Sequence, residues 1–177
     1  KKIRNYMELF SVLCCGFMLL APEVYHLFAG KEFWEGTRMI PIFAISTFFV
    51  FLYSFPVNYE IFYKNTKSIA NASIVSASVN IGLNLILIER YGAYGAAIAT
   101  LLSYLLQLIL HHVKAYSISI EKRDYTFKLI ECIPYIGVVF LIGVIVMLDV
   151  TVIIRWPIAA ILGIYETIRI ISRKDIF

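Results

Sequence analysis

Few residues in this chain could do chemistry, and the first to weigh are Asn58, Glu60, Asn80 and Asn84, because each stands within or at the end of a long apolar run. A carboxyl or amide group there must find partners or water, since a bare polar group is costly to bury and an ionisable one costlier still. Glu60 has two readings. It faces an interior or a watery cavity, or it is hydrated near a helix end with Lys64, four residues on, as its ion partner. Asn80 and Asn84 continue a stripe begun by Ala72 and Ser76 at four-residue steps, so all four share one helical face. Such a stripe serves helix-to-helix contact or lines a polar path. Neither use is catalytic.

Constellations for bond-making chemistry are missing from the pattern. Glu32 and Glu35 could form an acid pair, but no nucleophile or metal-ligand set adjoins them. His111 and His112 are neighbours, and successive helical residues diverge by about 100°, which is poor geometry for one metal ion. With Lys114 they read as a cluster at the cytoplasmic interface. Cys14 and Cys15 are adjacent and Cys132 is remote, giving neither a disulfide framework nor metal-ligand spacing, so they read as packing residues. We therefore expect no catalytic residue, no metal and no cofactor, and no basic, aromatic groove suggests nucleic acid as a partner.

The elements that must hold these side chains are apolar helices. Hydrophobic residues make up 60% of the 177 residues and charged ones 16%, against about 45–50% and about 25% in soluble domains. Six apolar stretches can be drawn: 6–21, 39–62, 69–88, 95–113, 129–148 and 151–171. At about 20 residues per crossing they fit six membrane spans. The expected fold is thus an all-α integral membrane bundle of about six transmembrane helices, forming a single domain. If the N-terminus lies inside, the inner segments hold twelve of the basic residues, and the outer ones hold only Lys31, Arg38, Arg90 and Arg155. That bias predicts both ends on the cytoplasmic side. Trp34, Tyr91, Tyr94 and Trp156 fall near outer turns, where amphipathic rings settle at the headgroups.

Three local features refine the map. Pro56 stands well inside the second, very aromatic stretch and predicts a kink or hinge there. Gly95, Ala99 and Ser103 recur every four residues and put small side chains on one face, a packing device. The connection 22–37 mixes Glu23, His26, Lys31, Glu32 and Glu35 with Leu27, Phe28, Phe33 and Trp34, which suits a short helix at the bilayer surface. Pro157 fits the first turn of the last helix, and Glu166 and Arg169 should pair at i, i+3. The chain opens on Lys1 and Lys2 without a methionine or signal-peptide pattern, so we expect a piece of a longer protein.

From Asn84 to Tyr104 the chain reads NLILIERYGAYGAAIATLLSY. This closely resembles the C-terminal region of polysaccharide flippases of the multidrug/oligosaccharidyl-lipid/polysaccharide exporter superfamily, with an apolar helix end, a tyrosine-glycine turn and a Gly-Ala-Ala-x-Ala-Thr helix start. Glu89 stands where that family often has proline. The segment from Ala21-Pro22-Glu23 to Gly30-Lys31-Glu32-Phe33 looks like the family's loop before a long aromatic span. The resemblance implies the C-terminal lobe of a two-lobe, MATE-like transporter whose N-terminal lobe precedes it. It implies alternating access that flips lipid-linked, polyprenyl-pyrophosphate oligosaccharides across the cytoplasmic membrane for O-antigen or capsule synthesis, with membrane lipid and other polysaccharide-assembly proteins as partners. It transfers no site residues. Arg38, Asn58, Glu60, Asn80 and Asn84 are substrate-pathway candidates on their chemistry alone. The rival expectations are a related exporter of peptidoglycan-precursor lipid or drug-like cations, an integral-membrane assembly enzyme and a purely structural membrane subunit.

Overall fold

Met7, Ser11, Cys14, Cys15 and Met18 recur every three or four residues, a pattern that buries one side of a helix. In a computed structural model, which describes residues 2–122, 127–148 and 152–172, they line the buried side of α1 (Lys2–Phe28), while Leu13, Phe17, Leu20 and Val24 are exposed. A 3₁₀ helix (Lys31–Met39) leads into α2 (Ile40–Phe62). A long helical stretch, α3 (Thr66–Lys122), and a short 3₁₀ turn (Leu129–Cys132) precede α4 (Ile133–Met147) and α5 (Val152–Ser172). No strand occurs among the described residues. Lys1, Arg123, Arg173 and Lys174, which contribute to the inner charge, and Thr151, where the last apolar stretch begins, lie outside them.

α3 is two helices in one. Gly92, at φ 56° and ψ −138°, reverses the chain between arms 66–91 and 93–122. The reversal is tight: a Cβ on Gly95 would collide with the carbonyl of Leu87, and Gln107 Nε2 donates to Ser73 Oγ across the arms at 3.5 Å. Only glycine occupies that backbone region without strain, of order 1–3 kcal/mol for other residues. Gly92→Val is therefore expected to lower the thermal unfolding midpoint. Gly95→Val should in addition reduce cross-linking between cysteines placed at Ser73 and Gln107. Unchanged cross-linking would mean that the arms do not meet there.

The residue contacts cluster into two units, Ser46–Ile130 and Lys1–Ile45 with Glu131–Phe177. In the first, Tyr53 stacks on Tyr104 and Glu60 bonds His111, a constant offset of 51 residues, so α2 runs parallel to the second arm of α3. The first arm runs back between them in sequence, giving three alternating passes. In the second unit, Glu8 pairs with Arg169 near the start of α1 and Glu23 with Arg155 near its end, so α1 and α5 are antiparallel. Cys132 touches Met7, while Gly143 abuts Pro41 and Ile45, so α4 runs the same way as α1.

Two boundaries differ from expectation. α1 continues through Pro22 to Phe28, beyond the expected end at Ala21, because one proline removes only one helix hydrogen bond and the ion pair of Glu23 with Arg155 anchors the added turn. The connection folds onto that turn: Trp34 Nε1 donates to the Ala29 carbonyl at 3.2 Å, and the Tyr25 hydroxyl donates to the Phe33 carbonyl at 3.0 Å. Pro157 is in the second turn of α5, not the first. Among the described residues, four stretches are long and apolar enough to cross a membrane: Ile3–Phe28, Lys31–Phe62, Thr66–Lys122 and Leu129–Met147. The third of these stretches is the hairpin, with its two arms joined at Gly92. α5 does not qualify by the same standard, since Arg155, Glu166 and Arg169 all lie within it.

Candidate functional site

Glu60 stands in the last turn of α2, and that turn is held by a particular cap. Lys64 adopts the left-handed conformation at φ 57°, the Asn65 amide bonds the Glu60 carbonyl at 2.9 Å, and the Lys64 amide bonds the Ile61 carbonyl at 2.9 Å. These are the paired bonds of a Schellman motif, and they fix the last turn of the helix and with it the Glu60 side chain. The carboxylate does not reach Lys64, which is exposed. Its Oε1 instead lies 2.7 Å from Nδ1 of His111 on the second arm of α3. Glu60 is 0% and His111 1% exposed.

The surroundings of the pair are aromatic. The Tyr53 ring stacks on the His111 ring at 5.7 Å between centroids and on Tyr104 at 6.4 Å. Glu60 Oε2 and His111 Nε2, the two atoms facing away from the shared bond, find no hydrogen-bond partner among the described residues. A carboxylate and an imidazole sharing one hydrogen bond, each with a second polar atom left over, can take up or release a proton. The reading of His111, His112 and Lys114 as an interface cluster is thus corrected for His111. Arm 93–122 runs on past the expected end of the span at 113, so His111 is not at the helix end, and it stands on the face that meets Glu60 of α2.

A second polar feature lies between the arms of α3. Ser73, Ser76, Asn80, Thr100, Tyr104 and Gln107 line a recess of about 310 Å³ that holds hydroxyls and amides but no charge. Ser76 is buried, and its Oγ has no partner among the described residues. Asn84 Nδ2 donates to Asn80 Oδ1 at 2.9 Å, so the two amides of the expected stripe satisfy part of each other's need. Tyr104 belongs both to this recess and to the ring stack over His111.

The other candidates fall elsewhere. Asn58 is exposed. Two residues along a helix is about 200° of rotation, so Asn58 and Glu60 cannot share a face. Arg38 is exposed on the 3₁₀ helix of the other unit. Pro56 is fully buried within an α2 that continues to Phe62. Gly95, Ala99 and Ser103 are all buried, and Glu32 and Glu35 are exposed. The cysteines are buried and form no disulfide among the described residues, and no group of three potential metal ligands occurs among them.

Four residues outside the expected site form a second polar cluster, in the unit of α1, α4 and α5. Arg169 forks between Glu8, at 2.5 Å, and Glu166, and the Tyr165 hydroxyl donates to the other Glu8 oxygen at 2.8 Å. The pairing of Glu166 with Arg169 is as expected, whereas the reach to Glu8 was not legible from spacing along one helix. His111 did leave a signal. The four-residue series of Gly95, Ala99 and Ser103, continued two more steps, arrives at Gln107 and His111. Comparison with protein-family models, with curated proteins and with solved structures returns no match for this chain.

Proposed function

We propose that this chain is the C-terminal part of a multi-span membrane carrier that moves lipid-linked oligosaccharides across the cytoplasmic membrane by alternating access, both ends of the chain being cytoplasmic. The observation that carries the membrane part is the inverted distribution of polarity. Leu85 is 74% exposed, Ile81 62% and Phe17 60%, while Glu60, His111, Glu166 and Arg169 are buried. In water that arrangement leaves large apolar side chains exposed; in lipid those outer faces meet hydrocarbon, and the ionisable groups are kept out of it in the protein interior. The alternating directions of the helices within each unit agree with a chain that crosses repeatedly.

The carrier part rests on the recess and the Glu60–His111 pair. A sugar headgroup crossing a bilayer needs hydroxyl, amide and ionisable partners, while its polyprenyl tail stays in lipid. The choice of cargo rests on the resemblance at Asn84–Tyr104. The test is a proteoliposome assay in which a fluorescent polyprenyl-diphosphate oligosaccharide is placed in one leaflet and its arrival in the other is followed with an impermeant quencher. The full parent protein is expected to move it, and Asn80→Leu should slow the movement about tenfold, the effect of one buried hydrogen bond lost. Movement of peptidoglycan-precursor lipid or of organic cations but of no oligosaccharide lipid would replace this cargo with the one moved.

A further inference from the structure

We infer that Glu60 and His111 together form a proton-exchange site, a single unit that gains and loses one proton as the interior of the carrier opens to water. Its link to transport rests on the carrier reading, but the proton site itself stands on geometry alone. The Oε1–Nδ1 contact of 2.7 Å has room for one hydrogen. With that hydrogen alone, neutral imidazole donates to carboxylate and the pair carries one negative charge. A proton taken from water onto Nε2, giving imidazolium beside carboxylate, or onto Oε2, giving neutral imidazole beside a carboxylic acid, leaves the pair neutral. The atoms through which it must come and go are Glu60 Oε2 and His111 Nε2, the two that have no partner among the described residues.

Helix contact alone does not explain this arrangement. Gln or Asn would bond across two helices without a titratable group, and the chain uses that chemistry nearby, where Gln107 donates to Ser73 across the arms of α3. Here it has two ionisable side chains at 0% and 1% exposure. The titratable and charged groups of the elements around the pair include Tyr53 and Tyr104 in the ring stack, Tyr59 and His112 beside the pair in sequence, Lys64, Lys67, Lys114 and Lys128 with Tyr63, Tyr116, Glu121 and Lys122 toward the ends of those elements, and Glu89 and Arg90 at the hairpin turn. Tyr104 also lines the neutral recess, so a ligand there shares a side chain with the stack that covers His111. Occupation of the recess and hydration of the pair are thereby linked through Tyr53 and Tyr104.

The test has two arms on the full parent protein in lipid. The first is an infrared pH titration that follows the Glu60 carboxyl and His111 ring bands, assigned with isotope-labelled histidine and with Glu60→Gln. One transition changing both sets of bands together is expected, displaced by at least about one pH unit, a tenfold change in proton affinity, in His111→Gln. No transition in the wild-type protein, which needs no variant to measure, or an unmoved one in His111→Gln, overturns the site. The second arm imposes a pH gradient across proteoliposomes loaded with the fluorescent oligosaccharide lipid. A one-unit gradient is expected to bias movement by up to about tenfold per proton, and the bias should vanish in Glu60→Gln. Movement that ignores the gradient in the wild type overturns the coupling and leaves the carrier intact. The coupled titration without any lipid movement sustains the proton site and removes the carrier.

Discussion

Replacing His111 with leucine, while Glu60 remains, is expected to destabilise the protein by about 3–5 kcal/mol. Leucine fills much of the imidazole's space, so the loss arises mainly from chemistry. The Glu60 carboxyl is 0% exposed, and it is held by His111 Nδ1 at 2.7 Å while its other oxygen has no partner among the described residues. Breaking a buried pair leaves the survivor uncompensated, whereas removing both members exchanges two desolvated groups for apolar contact. Glu60→Leu combined with His111→Leu should therefore recover most of the loss. Thermal unfolding in lipid nanodiscs of both single variants and the double one completes the cycle. Additive losses would show that the two residues do not interact. Recovery in the double variant would show that the pair is dispensable for stability.

The second large effect is expected at Arg169. Its guanidinium is 4% exposed and serves both Glu8 and Glu166, which are 20% and 7% exposed at their side chains. Arg169→Leu strands Glu166, leaves Glu8 with the Tyr165 hydroxyl alone and loosens α5 from α1, with an expected loss of about 3–5 kcal/mol. Arg169→Lys should restore only part, because an ammonium lacks the planar fork that meets two carboxylates together. Arg155→Leu provides the contrast. It strands one carboxylate, Glu23, whose side chain is 26% exposed against 7% for Glu166, so its loss should be clearly smaller. Equal losses in Arg155→Leu and Arg169→Leu would contradict the reading that the fork at Arg169 is the principal fastening.

The helices were legible because apolar runs and their breaks are local. Gly92 in its tyrosine-glycine turn marks the hairpin of α3 by residue type alone, and Gly95, Ala99 and Ser103 mark the face that the arm buries. Helix ends were less legible. Pro22 reads as a stop, yet the gain from pairing Glu23 with Arg155, 132 residues away, lies outside any local window. The same limit applied to the site. Glu60 was recognisable as costly, but spacing along one helix offers Lys64 as a partner, and the choice of His111 depends on how α2 packs against an arm 51 residues further on. Asn58 shows the converse: its type suggested a pathway, and its angular position on α2 puts it on the exposed face.

The most direct test of the account is cysteine labelling in intact cell membranes with an impermeant maleimide. Cys14, Cys15 and Cys132 are buried and give a low background. Ile81→Cys and Leu85→Cys occupy positions 62% and 74% exposed in the protein itself, yet both should stay unlabelled because lipid covers them. Arg90→Cys, at the hairpin turn, should label from outside, and Lys122→Cys, at the far end of the second arm, only after the membrane is permeabilised. Labelling of Ile81→Cys and Leu85→Cys as fast as Arg90→Cys would mean that water meets those apolar faces, and the protein would not be the membrane carrier described.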